Sequence, residues 1–287
     1  MIKHTIKKLP KNSYEIIVDI SADEIEKEYQ KAFAKLQKEL VVEGFRPGKA
    51  PKKIAEKHIA KEKIFQELIN TLIPRLYQEI INKEGLKPII SPKINLIKAK
   101  ENEPWQLSIK IAEKPTISLG DYKKAIKEFK TSSKKAKIWV PGQKEEKPDL
   151  EKDNSQLLNG ILTKLLKTVK CEIADMIIEA ELEQRLAKLL DEIQKIGLTV
   201  DAYLKSKNLT LDQLKNLYKK EIEDTYKLEF ILSEIADQEK IEVKKEEIEK
   251  LFEHIKDEKE RQQARNNSYF YALILRKQKT LDFLTSL

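Results

Sequence analysis

Glycine is scarce in this chain, at 7 of 287 residues, and histidine and cysteine are scarcer still, at 3 and 1. The lone Cys171 excludes an intramolecular disulfide, and His4, His58 and His254 are scattered without zinc-ligand spacing, so no metal site is expected. With no histidine near it in sequence to activate it, Cys171 reads as a semi-buried helix position rather than a nucleophile. The chain has no phosphate-binding glycine loop, no Gly-x-Ser-x-Gly elbow and no His-Glu-x-x-His. Carboxylates are plentiful, but Glu179, Glu181 and Glu183 lie among lysines in amphipathic helices and read as a solvated face. These absences together point to a binding protein rather than an enzyme, with neither catalytic residues nor a cofactor.

Long apolar runs are also missing. Nothing approaches the roughly 18 to 20 residues that span a bilayer, and the start MIKHTIKKLPKN has cations without an apolar core, so a cytoplasmic protein is expected.

What the chain does contain is charge and helix formers. Charged residues make up 36% and apolar residues 40%, which suits a helix-rich soluble protein of about two domains. The net charge of +8 is uneven: residues 155–287 hold 23 Lys/Arg against 25 Asp/Glu, which leaves +10 for residues 1–154. The first half suits a polyanionic partner, although ordinary surface lysines would give the same count.

The segment TIKKLPKNSYEIIVDIS reads as a hairpin turning at Pro10–Ser13, with Tyr14, Ile16, Val18 and Ile20 alternating on one side. Ser21 and Glu24 have capping-box spacing, and Ile25, Tyr29, Phe33, Leu36 and Leu40 continue a helix toward Gly44. Pro51 suits the first turn of a further helix. The pattern through KIFQELINTLIPRLYQEIINKEG is helical to Gly85, with Pro74 expected to kink or divide it. Period two returns at LKPIISPKINLIKAK and PWQLSIKIAEKP, where Trp105, Leu107, Ile109 and Ile111 share a face. Residues 1–115 therefore read as an α+β domain. Residues 116–153, lysine-rich with a Pro141-Gly142 turn, read as a linker or extended arm, with Trp139 read as a docking anchor for that arm in preference to a base-stacking residue. From residue 154 to 287 every segment reads as helix, with Gly197 and Asn208 just past helix ends and Thr210 with Gln213 in a capping box. Phe230, Ile231 and Leu232 are consecutive, so they cannot all share one narrow helix face.

The stretch EGFRPGKAP places two of the seven glycines four residues apart. Gly44 and Gly48 can adopt backbone angles closed to other residues, while Pro47 fixes its own φ and biases Arg46 toward an extended conformation. A loop stiffened in this way loses less entropy on binding. It can present Phe45 as an apolar anchor with Arg46 and Lys49 beside it for carboxylate or phosphate, unless Phe45 is tucked into its own domain.

The sequence GFRPGKAP resembles the ribosome-docking signature of trigger factor, the bacterial chaperone family that meets nascent chains at the tunnel exit. The order of elements over residues 1–115 is similar to that family's ribosome-binding domain. Residues 154–287 resemble its arm-bearing helical substrate-binding domain. The resemblance implies ribosome contact through Gly44, Phe45, Arg46, Pro47, Gly48, Lys49 and Pro51. It also implies partners in the protein and rRNA of the large ribosomal subunit and in nascent or unfolded polypeptides, and ATP-independent shielding of clients; some members of the family form a homodimer when free, which leaves the same state open here. Two features depart from the family pattern. The common Phe-Arg-Lys triplet is here Phe45-Arg46-Pro47, and residues 116–153 are too few for the family's prolyl isomerase domain of the FK506-binding type. The rival reading is an RNA-binding or ribosome-assembly protein, although no aromatic–cation interleaving of an RNA module is present.

Overall fold

The computed structural model describes residues 3–100, 103–136, 150–253, 255 and 257–287. Trp139, the Pro141-Gly142 turn and His254 fall outside the described residues. The chain divides into two compact units, residues 1–114 and 115–287.

In the first unit, β1 (Lys3–Leu9) and β2 (Ser13–Ile20) form the expected hairpin. Lys11 and Asn12 both have positive φ, at 59° and 50°, the geometry that matches a tight turn to the twist of its strands. Then come α1 (Ala22–Glu39), α2 (Lys52–His58), α3 (Lys61–Glu84), β3 (Lys93–Lys98) and β4 (Trp105–Ala112). The antiparallel sheet has the order β1-β2-β4-β3. Its period-two residues Ile16, Val18, Ile20, Leu107, Ile109 and Ile111 are fully buried against α1 and α3, which contribute Phe33, Leu68, Leu72 and Leu76. Tyr29, Phe65 and Trp105 form a row of rings with centroids 5.2 and 6.0 Å apart.

One local expectation fails in this unit, and a second is narrowed. Ser21 is extended at the start of α1, but its side chain makes no capping bond. The helix α3 runs undivided through Pro74. Proline deprives only the Asn70 carbonyl of its partner, and the buried leucines 68, 72 and 76 on either side hold the helix to the sheet. Glu28, in a run of charged residues, turns inward. It is buried and accepts hydrogen bonds from Lys31 at 2.7 Å and Arg75 at 3.0 Å. Burial alone would raise its pKa, but these two cations outweigh it and hold the carboxyl below its ordinary value.

The second unit opens on β5 (Ile117–Ser118) and α4 (Tyr122–Ala136), followed by α5 (Leu150–Thr168), β6 (Lys170–Cys171), α6 (Asp175–Lys195), α7 (Val200–Ser206), α8 (Leu211–Gln238), α9 (Lys245–Glu253), α10 (Glu258–Asn266) and α11 (Ser268–Ser286). The stretch read as a linker or arm thus holds, in its described part, a strand and a packed helix. Tyr122 and Ile126 are buried, and the Phe129 ring lies so close to Gly160 on α5 that a Cβ there would collide with it. The Tyr122 hydroxyl and Lys123 both bond Glu239 at the end of α8, at 2.8 Å each. Nor is everything beyond residue 154 helical. Cys171 sits in β6, paired with Ile117 of β5, because the chain extends for two residues between α5 and α6. It is buried rather than semi-buried, and burial pushes its thiol up.

Other expectations hold here. Thr210 and Gln213 form a reciprocal capping box, and Gly197 and Asn208 have positive φ past helix ends. Ile231 and Leu232 are both buried, and Phe230 packs near Tyr226 with ring centroids 6.4 Å apart. Glu179 and Glu183 are exposed, whereas Glu181 is half-buried and accepts a bond from the Tyr226 hydroxyl at 3.2 Å.

Candidate functional site

The loop between α1 and α2 brings together every residue the signature singled out. Gly44 and Gly48 adopt φ of 82° and 74°. The Gly48 N–H donates to the Leu40 carbonyl at 2.9 Å, and the Lys49 N–H donates to the Arg46 carbonyl at 2.9 Å. At Gly48 the backbone passes so close to the Lys38 carbonyl that a Cβ would overlap it, so both φ and space demand glycine there. Gly44 has open space around it, and only its φ does. Pro51 caps α2 rather than opening its first turn. Beyond it, the Gln37 side chain donates to the Ala50 carbonyl at 2.7 Å and fastens the loop's far end to α1.

This framework turns the tip outward. Phe45 is 40% exposed and is not tucked into the domain. Arg46, Pro47 and Lys49 are exposed as well, and the side chains of Arg46 and Lys49 form no ion pair with the described residues. The charge and the apolar ring are therefore available together. The sequence reading missed Val41, which is 74% exposed in the same loop. Its signal was an apolar residue continuing past the end of the α1 pattern. Lys52, at the start of α2, turns back over the Phe33 ring at 5.8 Å and bonds Gln30, so it is partly occupied.

The second unit offers a different surface. The end of α6 and the turn after it expose Leu190, Ile196 and Leu198, and α8 exposes Leu211 and Leu217. On α11, Tyr269, Phe270, Leu273 and Ile274 are exposed and recur at helical spacing on one side. Among the described residues no group of three or more His, Cys, Asp or Glu could hold a metal ion, and no helix is long and apolar enough to cross a membrane.

Comparison with known proteins follows the division into units. The model of the bacterial trigger factor protein (TF) family matches residues 2–138, and its C-terminus model matches residues 143–282. The chain belongs to the trigger factor family. The two matched parts are separated only by residues 139–142, so no prolyl isomerase domain lies between them. The trigger factor of Desulforudis audaxviator is 32% identical over 122 residues, 42% of this chain and 28% of that protein. That of Moorella thermoacetica is 34% identical over 121 residues, covering 42% and 27%. The aligned stretch thus spans little more than a quarter of these relatives. A solved structure from work on promiscuous substrate recognition in folding and assembly by the trigger factor chaperone superposes with a TM-score of 0.65 at 15% identity. It covers 98% of both chains, and it shares the fold: an α+β part followed by a mainly helical one.

Proposed function

We propose that this protein is an ATP-independent, ribosome-associated chaperone of the cytoplasm. In this reading residues 1–115 dock on the large ribosomal subunit beside the nascent-chain exit, touching ribosomal protein and rRNA through Gly44, Phe45, Arg46, Pro47, Gly48, Lys49 and Pro51. Residues 154–287 shield unfolded polypeptide until folding buries its apolar segments, and 116–153 join the two in place of an isomerase domain. The protein has no prolyl isomerase activity, since residues 116–153 are too few and too lysine-rich to build the apolar pocket needed to twist an X-Pro bond against a barrier of about 20 kcal/mol.

The observation that carries this reading is the outward-facing Phe45 flanked by Arg46 and Lys49 on a loop whose backbone is already fixed. Such a loop pays little ordering entropy on docking, and anchors of this kind dominate binding energy. Pro47 replaces the cation of the Phe-Arg-Lys triplet that the resemblance implies, which lowers the ionic share of the contact.

The test is co-sedimentation with ribosomes of the chain carrying Phe45→Ala, Arg46→Ala and Lys49→Ala together. Affinity is expected to fall at least about tenfold, and wild-type binding to weaken as salt rises. Unchanged co-sedimentation would remove the loop from the docking site. Suppression of client aggregation with all RNA removed separates a chaperone from an RNA-binding scaffold.

A further inference from the structure

The first unit carries a surplus of cations, with 23 Lys/Arg against 16 Asp/Glu over residues 1–114. One place on it has the opposite sign. A cavity of about 360 Å³ opens between α1, α3 and the turn from β3 to β4. Ile25, Tyr29 and Phe65 supply its apolar wall, and Asp23, Glu26 and Glu103 stand around them. Ile25 and Tyr29 are four apart, so one face of α1 borders the cavity over more than a turn. Phe65, on the second turn of α3, has its ring fixed from both sides, by Tyr29 with centroids 5.2 Å apart and by buried Trp105 at 6.0 Å. The Trp105 indole N–H is itself committed to the Lys100 carbonyl at 3.1 Å. The wall is therefore rigid, and its two outer rings are only half-buried.

Charge decides what such a wall would hold. Glu103 pairs with Lys98 at 2.7 Å, and Glu26 accepts a bond from the Gln30 side chain at 2.7 Å. Among the described residues, no cation pairs with Asp23 or Glu26. Three carboxylates set against Lys98 and the roughly half positive charge of the α1 N-terminus leave a negative surplus. An anion is repelled by it. A purely apolar side chain would fill the space but strip water from carboxylates without replacing it. An ammonium meets the charge, yet it is a strongly hydrated point that gains little from a flat wall. A guanidinium is planar and weakly hydrated, stacks on ring faces and donates to more than one carboxylate at once.

We propose that this cavity binds an arginine side chain of another polypeptide, with its guanidinium against the Tyr29–Phe65 wall and its N–H groups donating to Asp23 and Glu26. The stem methylenes lie along Ile25, and a cavity larger than one side chain leaves room for the flanking backbone. Asp23 and Glu26 are exposed, so the charge contribution is screened by salt and a single arginine binds weakly. The site uses neither the 40–51 loop nor the helical unit, so it goes beyond the function proposed above.

The test is an NMR titration of the full, nitrogen-15-labelled chain with the blocked pentapeptide Gly-Gly-Arg-Gly-Gly and with two counterparts. One carries citrulline, which keeps the shape of arginine without its charge, and the other carries lysine. The arginine peptide is expected to bind at least about tenfold more tightly than the citrulline peptide and about threefold more tightly than the lysine peptide. It should shift amide signals of residues 22–29, 65 and 103. Asp23→Asn with Glu26→Gln, both at exposed positions, should bring the arginine peptide down to the citrulline level while leaving the circular dichroism melt intact. Phe65→Leu keeps an apolar side chain but removes the ring, and should weaken binding about threefold. The triple alanine loop variant should bind the peptide as the wild type does. Arginine affinity no higher than that of either counterpart, signal shifts confined elsewhere, or undiminished binding in the Asp23→Asn, Glu26→Gln variant would overturn the proposal.

Discussion

In the first unit Leu68, Leu72, Leu107, Ile109 and their neighbours close around one face of a sheet. Among its described residues, the large apolar side chains left exposed are confined to the loop, with Val41 and Phe45, and to one sheet edge, with Ile89, Leu96 and Ile97. Among the described residues of the second unit ten large apolar side chains are exposed, spread from Leu190 on α6 to Ile274 on α11. Charge is divided the other way: residues 1–114 hold 23 Lys/Arg against 16 Asp/Glu, and residues 115–287 hold 33 against 32. The difference follows from architecture. A sheet covered by helices closes a core in one layer, whereas long antiparallel helices meet along narrow seams and leave their remaining faces to solvent. The α11 seam is fastened partly by ion pairs: Arg276 with Asp237 at 2.7 Å, Lys279 with Glu247 at 2.5 Å, and Lys277 with Glu229. One unit is built to hold a few groups in a fixed place, and the other to offer many apolar groups at once.

If that contrast is real, the units should respond separately to damage in the core of the first. Leu72→Ala empties a fully buried position on α3 and is expected to cost about 3 kcal/mol. In a Trp139→Phe background, buried Trp105 becomes the single tryptophan and reports on the first unit alone. Its fluorescence transition should move to lower denaturant while the far-ultraviolet transition of the helical unit stays in place. A joint shift of both would show that the units unfold as one.

A smaller effect is expected at Glu28. Its carboxyl is held below the ordinary value in the folded chain, so the stability it contributes is fully present above the unfolded value of 4.5. That contribution is lost as pH falls through the depressed folded value. Glu28→Gln should cost the first unit about 1–3 kcal/mol at neutral pH. The gap between variant and wild type should narrow in acid, as followed by denaturant unfolding at several pH values. A gap that does not depend on pH would mean that the loss is steric rather than ionic.

These positions differ in how far the sequence announces them. Alternation at Tyr14–Ile20 and Trp105–Ile111 gave the sheet, because a face buried on one side leaves a period of two. The loop was readable because glycine is so rare that two placed four apart imply φ > 0, which Gly44 and Gly48 have. Glu28 was not readable, since its partner Arg75 lies 47 residues away and inward carboxylates look like outward ones in a charged helix. The helix α4 was hidden for a similar reason: Tyr122, Ile126 and Phe129 are its spaced apolar contacts in a lysine-rich stretch. The β5–β6 pair, two residues in each strand, is too short to leave a period. Which apolar residues of the helical unit stay exposed depends on where the seams fall, which is settled by packing rather than pattern.

The smallest expected effect bears on that last point. Phe270 and Ile274 are one turn apart on α11 and are 60% and 50% exposed, so replacing both with serine removes apolar surface without opening a core. The helix should lose roughly 1 kcal/mol at most, from propensity and from the Phe270–Tyr271 ring contact at 6.0 Å. If the helical unit captures clients through many weak apolar contacts, deleting two of them should weaken capture without ending it. The molar excess needed to halve the light scattering of a diluted, denatured reporter should rise about two- to fivefold. Co-sedimentation with ribosomes should stay at the wild-type level, because the loop is untouched. Unchanged scattering at every ratio would move client capture away from α11, toward the exposed leucines and isoleucine at the end of α6 and the start of α8. A loss of ribosome binding instead would dissolve the division of labour between the two units.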